Sequence, residues 1–228
     1  MRNGNQEAMS ERSSSRKARY IVIDGPIGVG KTSLATLLAP ELNARLIFER
    51  AEENPFLSDF YREPARFRFQ TQIFFLMSRF SQQEEFQQHD LFNQVTISDY
   101  LFAKDRIFAY LNLNDDELAL YEQIYRMIEP KVVRPDLVIY LQADTETILR
   151  RIKQRARPFE KNVDRDYIEA VNEAYSHYFF RYTETPLLVI NTSDIDFVHN
   201  PQDLDDLIRQ ILSRREGTMY YVPKSRGR

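Results

Sequence analysis

The chain has 228 residues, 43% hydrophobic and 29% charged, an ordinary globular composition that is long enough for one α/β domain with a sizeable core. A net charge of −3 gives no basic field of the kind nucleic acid requires, so cations for a small anionic substrate must be local. With no Cys and 3 scattered His (His89, His177, His199), disulfides, thiolate catalysis and Cys-based zinc sites are excluded; no apolar run reaches the roughly 18 residues of a membrane span, and the expected setting is a cytoplasmic enzyme or nucleotide switch.

Residues 1–17 are polar and Ser-rich without periodicity, which predicts a disordered leader. Tyr20-Ile21-Val22-Ile23 reads as a strand running into a Gly-rich turn, followed by a helix from Ser33 to Leu42 with Leu34, Leu37, Leu38 and Leu42 near one face. Arg45-Leu46-Ile47-Phe48 and Gln94-Val95-Thr96-Ile97-Ser98 supply a second and a third strand. Leu137 to Leu141 and Leu187 to Ile190 supply two more. Helical patterns fill 64–89, 101–111, 115–130, 145–156, 164–182 and 201–214, with a soft boundary at Leu111–Asp115. The strands are apolar without alternation, as in strands covered on both faces. Residues 18–213 therefore read as a single α/β domain with a doubly wound, five-stranded parallel sheet and right-handed crossovers. The segment 214–228, with five basic residues and one acid, is expected to be a flexible basic tail.

Gly25-Pro26-Ile27-Gly28-Val29-Gly30-Lys31-Thr32 fits the P-loop pattern GxxxxGK(S/T), and it lies after a strand and before a helix, where the chemistry requires it. The glycines let successive N–H groups point inward, and the helix start, from Lys31 through Ser33, adds its positive end. Lys31 contributes a mobile cation and Thr32 a hydroxyl for Mg²⁺, so the expected ligands are ATP and Mg²⁺. Glu49 closes the second strand and Asp99 the third, which places a carboxylate beside the Mg²⁺ position. Arg151, Arg155, Arg157 and Glu160 form RxxxRxRxxE at the end of a helix, a pattern suited to a short lid over a transferring phosphoryl group. A GTPase would need an NKxD guanine reader and a DxxG switch, and neither is present. A motor ATPase would place Glu after Asp99, where Tyr100 stands.

The order and spacing of IVIDGPIGVGKTSLA, FERAEENPFLSDFY, QTQIFFLMSRF, TISDYLFAKDRIF, RIKQRARPFE and NTSDIDF resemble the deoxyribonucleoside kinases, nearest to their bacterial deoxyadenosine/deoxyguanosine branch, from about Arg19 to Ile211. The resemblance implies transfer of the ATP γ-phosphate to a deoxynucleoside 5′-hydroxyl, a purine preference, a place in nucleotide salvage and a homodimer. It implies that Glu49 is the general base, that Gln72 and Arg79 read the base, and that Asp105 holds Arg79 and is itself within reach of the base. Tyr61 and Glu160 would hold the sugar 3′-hydroxyl, Arg151, Arg155 and Arg157 would surround the triphosphate, and Asp196 and Phe197 would touch the donor base. One departure stands out: the family's acid-Arg-Ser triplet is Asp99-Tyr100-Leu101 here, so a lid arginine is expected to replace the missing cation. The other readings weighed are a nucleoside-monophosphate (thymidylate-like) kinase and a catalytically weak ATP-binding regulator.

Overall fold

The computed structural model describes residues 20–89, 95–160, 163–213 and 216–223; the expected leader lies outside them. Its strands are β1 (Tyr20–Asp24), β2 (Arg45–Ile47), β3 (Thr96–Ser98), β4 (Leu137–Gln142), β5 (Leu187–Asn191) and β6 (Thr218–Tyr221). The helices are α1 (Lys31–Leu42), α2 (Leu57–Arg62), α3 (Pro64–His89), α4 (Lys104–Asn112), α5 (Asp115–Ile128), α6 (Thr145–Arg155), α7 (Arg165–Phe180) and α8 (Pro201–Leu212). The sheet runs β2-β3-β1-β4-β5-β6, and every pairing is parallel.

Two layers of helix explain the unbroken apolar strands. Ile21, Ile23, Ile139 and Ile190 point to the face covered by α1, α6 and α8, where Leu34, Ile148 and Leu207 are buried. Val22, Val138 and Val189, on alternate positions, point to the opposite face, where α7 packs through Val171, Tyr175 and Phe179. A third cluster of Leu76, Phe102, Tyr121 and Tyr125 joins α3, α4 and α5. Since β1 has β3 on one side and β4 on the other, the chain reverses its direction of winding at β1. The C-terminal end of β1 is thus the switch point where ligands of such sheets bind.

The sheet has six strands where the sequence predicts five. Thr218–Tyr221 adds β6 to the edge, so part of the expected flexible tail is ordered against β5, with Leu187↔Thr218 in register. The helix expected from residue 64 is preceded by a short α2, and the two separate at Glu63 because Pro64 disfavours the helical conformation in the residue before it. The soft boundary near Leu111–Asp115 is resolved by capping. Asn114 accepts from the Glu117 N–H at 2.9 Å and its own N–H donates to the Glu117 carboxylate at 3.0 Å, a reciprocal pair that starts α5.

At Gly25 the backbone has φ +150, and a Cβ there would lie 2.4 Å from the Leu141 carbonyl oxygen of β4. That oxygen belongs to a sheet strand and cannot move aside without disturbing β4. Gly25→Ala is therefore expected to lower unfolding stability by about 2 kcal/mol or more. Gly217→Ala is the control: its φ of +80 strains any side chain but nothing lies within 4 Å, so a loss of only about 1 kcal/mol is expected. Denaturant melts of the two variants measure the difference.

Candidate active site

β1 delivers the chain into the Gly-rich turn, and α1 begins directly at Lys31, behind Gly30 at φ 111. The helix start carries no side-chain cap and no acid in its first turn, which leaves its dipole and amides available to an anion. Lys31 Nζ folds back onto the carbonyls of Gly25 at 2.8 Å and Pro26 at 3.0 Å. Burial, joined by the neighbouring charge of Lys104, pulls the Lys31 ammonium down to about 8 against the opposing pull of Asp24, Glu49 and Asp99.

The Asp99 carboxylate spans the junction. One oxygen accepts from the Thr32 hydroxyl at 2.5 Å, and the other accepts from the Glu49 backbone N–H at 2.8 Å. The Asp99 N–H in turn bonds the Ile47 carbonyl at 3.2 Å, which extends the β2–β3 ladder to the site. Thr32 and Asp99 thus present hard oxygen donors side by side at the P-loop.

Glu49 is gripped from two helices. Its Oε1 accepts from Arg79 of α3 through Nε at 2.9 Å and through Nη2, and its Oε2 accepts from Lys104 of α4 at 2.7 Å. Burial alone would raise the Glu49 carboxyl, but the charges of Lys104 and Arg79 outweigh it and hold the group well below the usual carboxylate range. Arg79 Nη1 also pairs with Asp105. Asp105 accepts from Gln72 Nε2 at 2.8 Å and from the Tyr121 hydroxyl at 2.8 Å, and its carbonyl accepts from the same Gln72 nitrogen at 2.9 Å. Gln72, Arg79 and Asp105, named from spacing and resemblance, therefore form one connected network with Glu49.

Two clefts meet at the P-loop, and the network lines one of them. One, of about 420 Å³, is lined by Glu49, Tyr61, Gln72, Arg79, Lys104 and Glu160 among others. The other, of about 1020 Å³, lies along the P-loop and the segment after β5, including Arg151 and Asp196. Gly28, Lys31, Thr32, Arg155 and Arg157 line both.

The lid arginines are not equivalent. Arg151 Nη1 donates to the Val29 carbonyl and to Thr192 Oγ1, both at 3.0 Å, and its Nη2 donates to the Thr192 carbonyl at 2.8 Å and the Ile195 carbonyl at 3.3 Å. It buckles the P-loop to the segment after β5. Arg155 pairs with Glu160, and Arg157 reaches Glu52 at 3.5 Å. Tyr61 and Glu160 face the same cleft without a hydrogen bond to each other, and Tyr61 stacks edge-on to Tyr167 with ring centroids 6.2 Å apart. Phe197 is buried with its ring against Gly30, while Asp196 stays at the surface and holds His199.

Sequence reasoning missed Lys104 and Asp24. Lys104 is 2% exposed, an unusual place for an ammonium, and its position directly after the apolar stretch from Tyr100 to Ala103 and beside Asp105 was the available signal. Asp24 accepts from the N–H of Gly25 at 2.7 Å, the N–H of Leu101 at 2.9 Å and the Tyr175 hydroxyl at 3.3 Å, so it joins the P-loop to the segment after β3. Burial raises its carboxyl despite the nearby Lys104 and Lys31.

A family profile described as "Deoxynucleoside kinase" matches residues 21–214. A deoxyguanosine kinase of Bacillus subtilis is 36% identical over 199 residues, covering 85% of this chain and 96% of that protein. A deoxyadenosine kinase of Dictyostelium discoideum is 35% identical over 202 residues, covering 86% and 80%. Among solved structures, a deoxyadenosine kinase from M. mycoides with dCMP and dCDP bound superposes with a TM-score of 0.73 at 25% identity, covering 85% of this chain and 98% of that one.

The pairing of Arg79 with Asp105 is closed to water, at 3% and 0% exposure. Removing one partner leaves the other as an uncompensated buried charge. Asp105→Ala is expected to lower stability by about 3–5 kcal/mol in urea unfolding. Asp105→Asn, which keeps the shape and part of the bonding, should lose less.

Proposed function

The chain belongs to the deoxynucleoside kinase family, and on that premise we propose how its two clefts divide the reaction. A phosphoryl group passes from a nucleoside triphosphate to the hydroxyl of a deoxynucleoside. The larger cleft takes the donor and the smaller one the acceptor, and the observation that carries this assignment is that both open onto Lys31 and Thr32 of the P-loop. The donor is ATP, with its phosphates on the amides from Gly25 to Ser33 and on Lys31. Arg155 and Arg157, which line both clefts, close over the γ-phosphate, and Arg151 supports the loop that carries Asp196 and Phe197 beside the donor base.

Thr32 and Asp99 fit Mg²⁺. Both offer hard oxygens, a pair suited to an ion that takes its other ligands from phosphates and water. When bound, Mg²⁺ neutralises phosphate charge.

Glu49 accepts the proton of the 5′-hydroxyl. Its carboxylate is a weak base in this setting, which suits a loose transition state in which positioning and charge neutralisation dominate. Gln72 directs both amide hydrogens at Asp105 and so presents its Oε1 to the acceptor base, where it can accept from an amino or ring N–H. Tyr61 and Glu160 lie on the wall suited to the sugar 3′-hydroxyl. A purine deoxynucleoside is the preferred acceptor, a reading supported by the deoxyguanosine and deoxyadenosine kinases among the relatives.

Incubation with ATP, Mg²⁺ and each of the four deoxynucleosides should yield monophosphates, fastest from deoxyguanosine or deoxyadenosine. Turnover of deoxynucleoside monophosphates alone would refute the assignment. Glu49→Gln is expected to lower kcat on the order of 10²- to 10⁴-fold, because the lost group is the positioned base. ATP binding by the same variant, measured by calorimetry, should stay close to that of the unaltered chain.

A further inference from the structure

Phosphoryl transfer gathers negative charge at the junction of the two clefts, and catalysis there depends on fixed cations. Tyr100, which follows Asp99, turns into the core and lines neither cleft. Of the lid arginines, Arg151 is committed to backbone carbonyls and Thr192, which leaves Arg155 and Arg157, paired with Glu160 and Glu52, to close over the phosphates from the lid. On the acceptor side, besides Lys31 of the P-loop and Arg79, the further buried cation is Lys104.

Three observations bear on its role. Its Nζ bonds Glu49 Oε2 at 2.7 Å, on the carboxylate that has Arg79 on its other oxygen. It lines the acceptor cleft together with Lys31, and its charge is felt by Lys31, whose ammonium it helps to depress. It stands over the Tyr100 ring, 5.9 Å from the centroid, so the residue after Asp99 supports the ammonium from beneath. An ammonium offers three donors on a flexible stem, so it can bond Glu49 and a second oxygen at once.

We propose that Lys104 is a further catalytic residue: its ammonium bonds Glu49 in the free enzyme and the oxygens of the transferring phosphoryl group during reaction. This rests on the kinase reading above. In the step, the acceptor oxygen forms a bond to the γ-phosphorus while the bond from that phosphorus to the bridging oxygen breaks, its electron pair leaving with ADP. The hydroxyl proton moves to Glu49, whose charge is thereby cancelled. Lys104 is then a buried cation that has lost its anionic partner, and the nearest new negative charge is on the phosphoryl oxygens. Proton transfer and charge stabilisation are coupled through this one side chain.

The test uses the full chain with Lys104→Met, Lys104→Gln and Lys104→Arg, assayed for kcat and KM with ATP, Mg²⁺ and the best deoxynucleoside, with folding followed by circular dichroism. Loss of a transition-state cation predicts a fall in kcat on the order of 10³-fold for Lys104→Met, with KM for the nucleoside nearly unchanged. Lys104→Gln keeps a hydrogen bond to Glu49 without charge and should be equally slow, whereas Lys104→Arg should regain at least about tenfold. If Lys104→Met does not fold, the Gln and Arg variants carry the comparison. A Gln variant with the unaltered kcat, or an Arg variant no faster than Gln, overturns the proposal. A wild-type chain that phosphorylates no deoxynucleoside overturns the kinase reading as well, so the two failures are distinct.

Discussion

The site depends on a single carboxylate. Asp99 holds the hydroxyl of Thr32 with one oxygen and the backbone of Glu49 with the other. It thereby ties the first turn of α1 to the end of β2 from the end of β3, three elements that the parallel sheet brings side by side. Each tie would be weaker in water, but Asp99 is buried, and a buried carboxylate is stable only while its acceptor sites are filled. The sheet order β2-β3-β1 therefore has a chemical consequence. It fixes the distance between the P-loop and Glu49, on the wall of the smaller cleft. Asp24 repeats the device from the neighbouring strand, joining Gly25 to Leu101.

Around that frame the charges are arranged in opposed pairs. Glu49 sits between Arg79 and Lys104, Arg79 between Glu49 and Asp105, and Asp105 also takes Gln72 and Tyr121. Such a network fixes every rotamer in it, because any departure strands a polar group away from water. Its consequence for Glu49 is a carboxylate that stays ionised and binds a proton weakly. A strong base is unnecessary where the attacking hydroxyl loses its proton late, and an ionised carboxylate always available to accept it is sufficient.

Local signals were readable in the sequence and non-local ones were not. The P-loop was legible because all of its parts lie within eight consecutive residues between a strand and a helix. Asp99 was legible because it ends a short apolar strand, and Gln72 with Arg79 because seven residues return to the same helix face. Resemblance supplied the link from Arg79 to Asp105, which lies across two helices. Lys104 escaped because its partner is 55 residues away and, beside Asp105 and Arg106, it reads as one more charge on a helix. The three lid arginines read alike from their spacing, yet Arg151 is bound to carbonyls of the P-loop and of the segment after β5, contacts that spacing within RxxxRxR does not encode. β6 escaped for a different reason. Thr218–Tyr221 alternates exposed with half-buried positions on a sheet edge, and the basic residues of the surrounding segment masked four residues of strand pattern.

Pairing of charges also discriminates between acceptors. In the smaller cleft Arg79 and Lys104 face Glu49, Arg155 faces Glu160, Arg157 faces Glu52, and Arg68 faces Glu117 at 2.7 Å. An acceptor that already carried a phosphate would bring about two negative charges against these carboxylates and would have to break ion pairs to find a cation. A neutral nucleoside needs only hydrogen bonds with groups already held in place, and carboxylates such as Glu49 and Glu160 can accept them. The thymidylate-like alternative would require unpaired cations at this end of the cleft, whereas the arginines and Lys104 that line it each face a carboxylate. The balance of charge in this cleft thus favours phosphorylation of a nucleoside over phosphorylation of its monophosphate, while Lys31, bonded to the Gly25 and Pro26 carbonyls, stands at the end shared with the larger cleft.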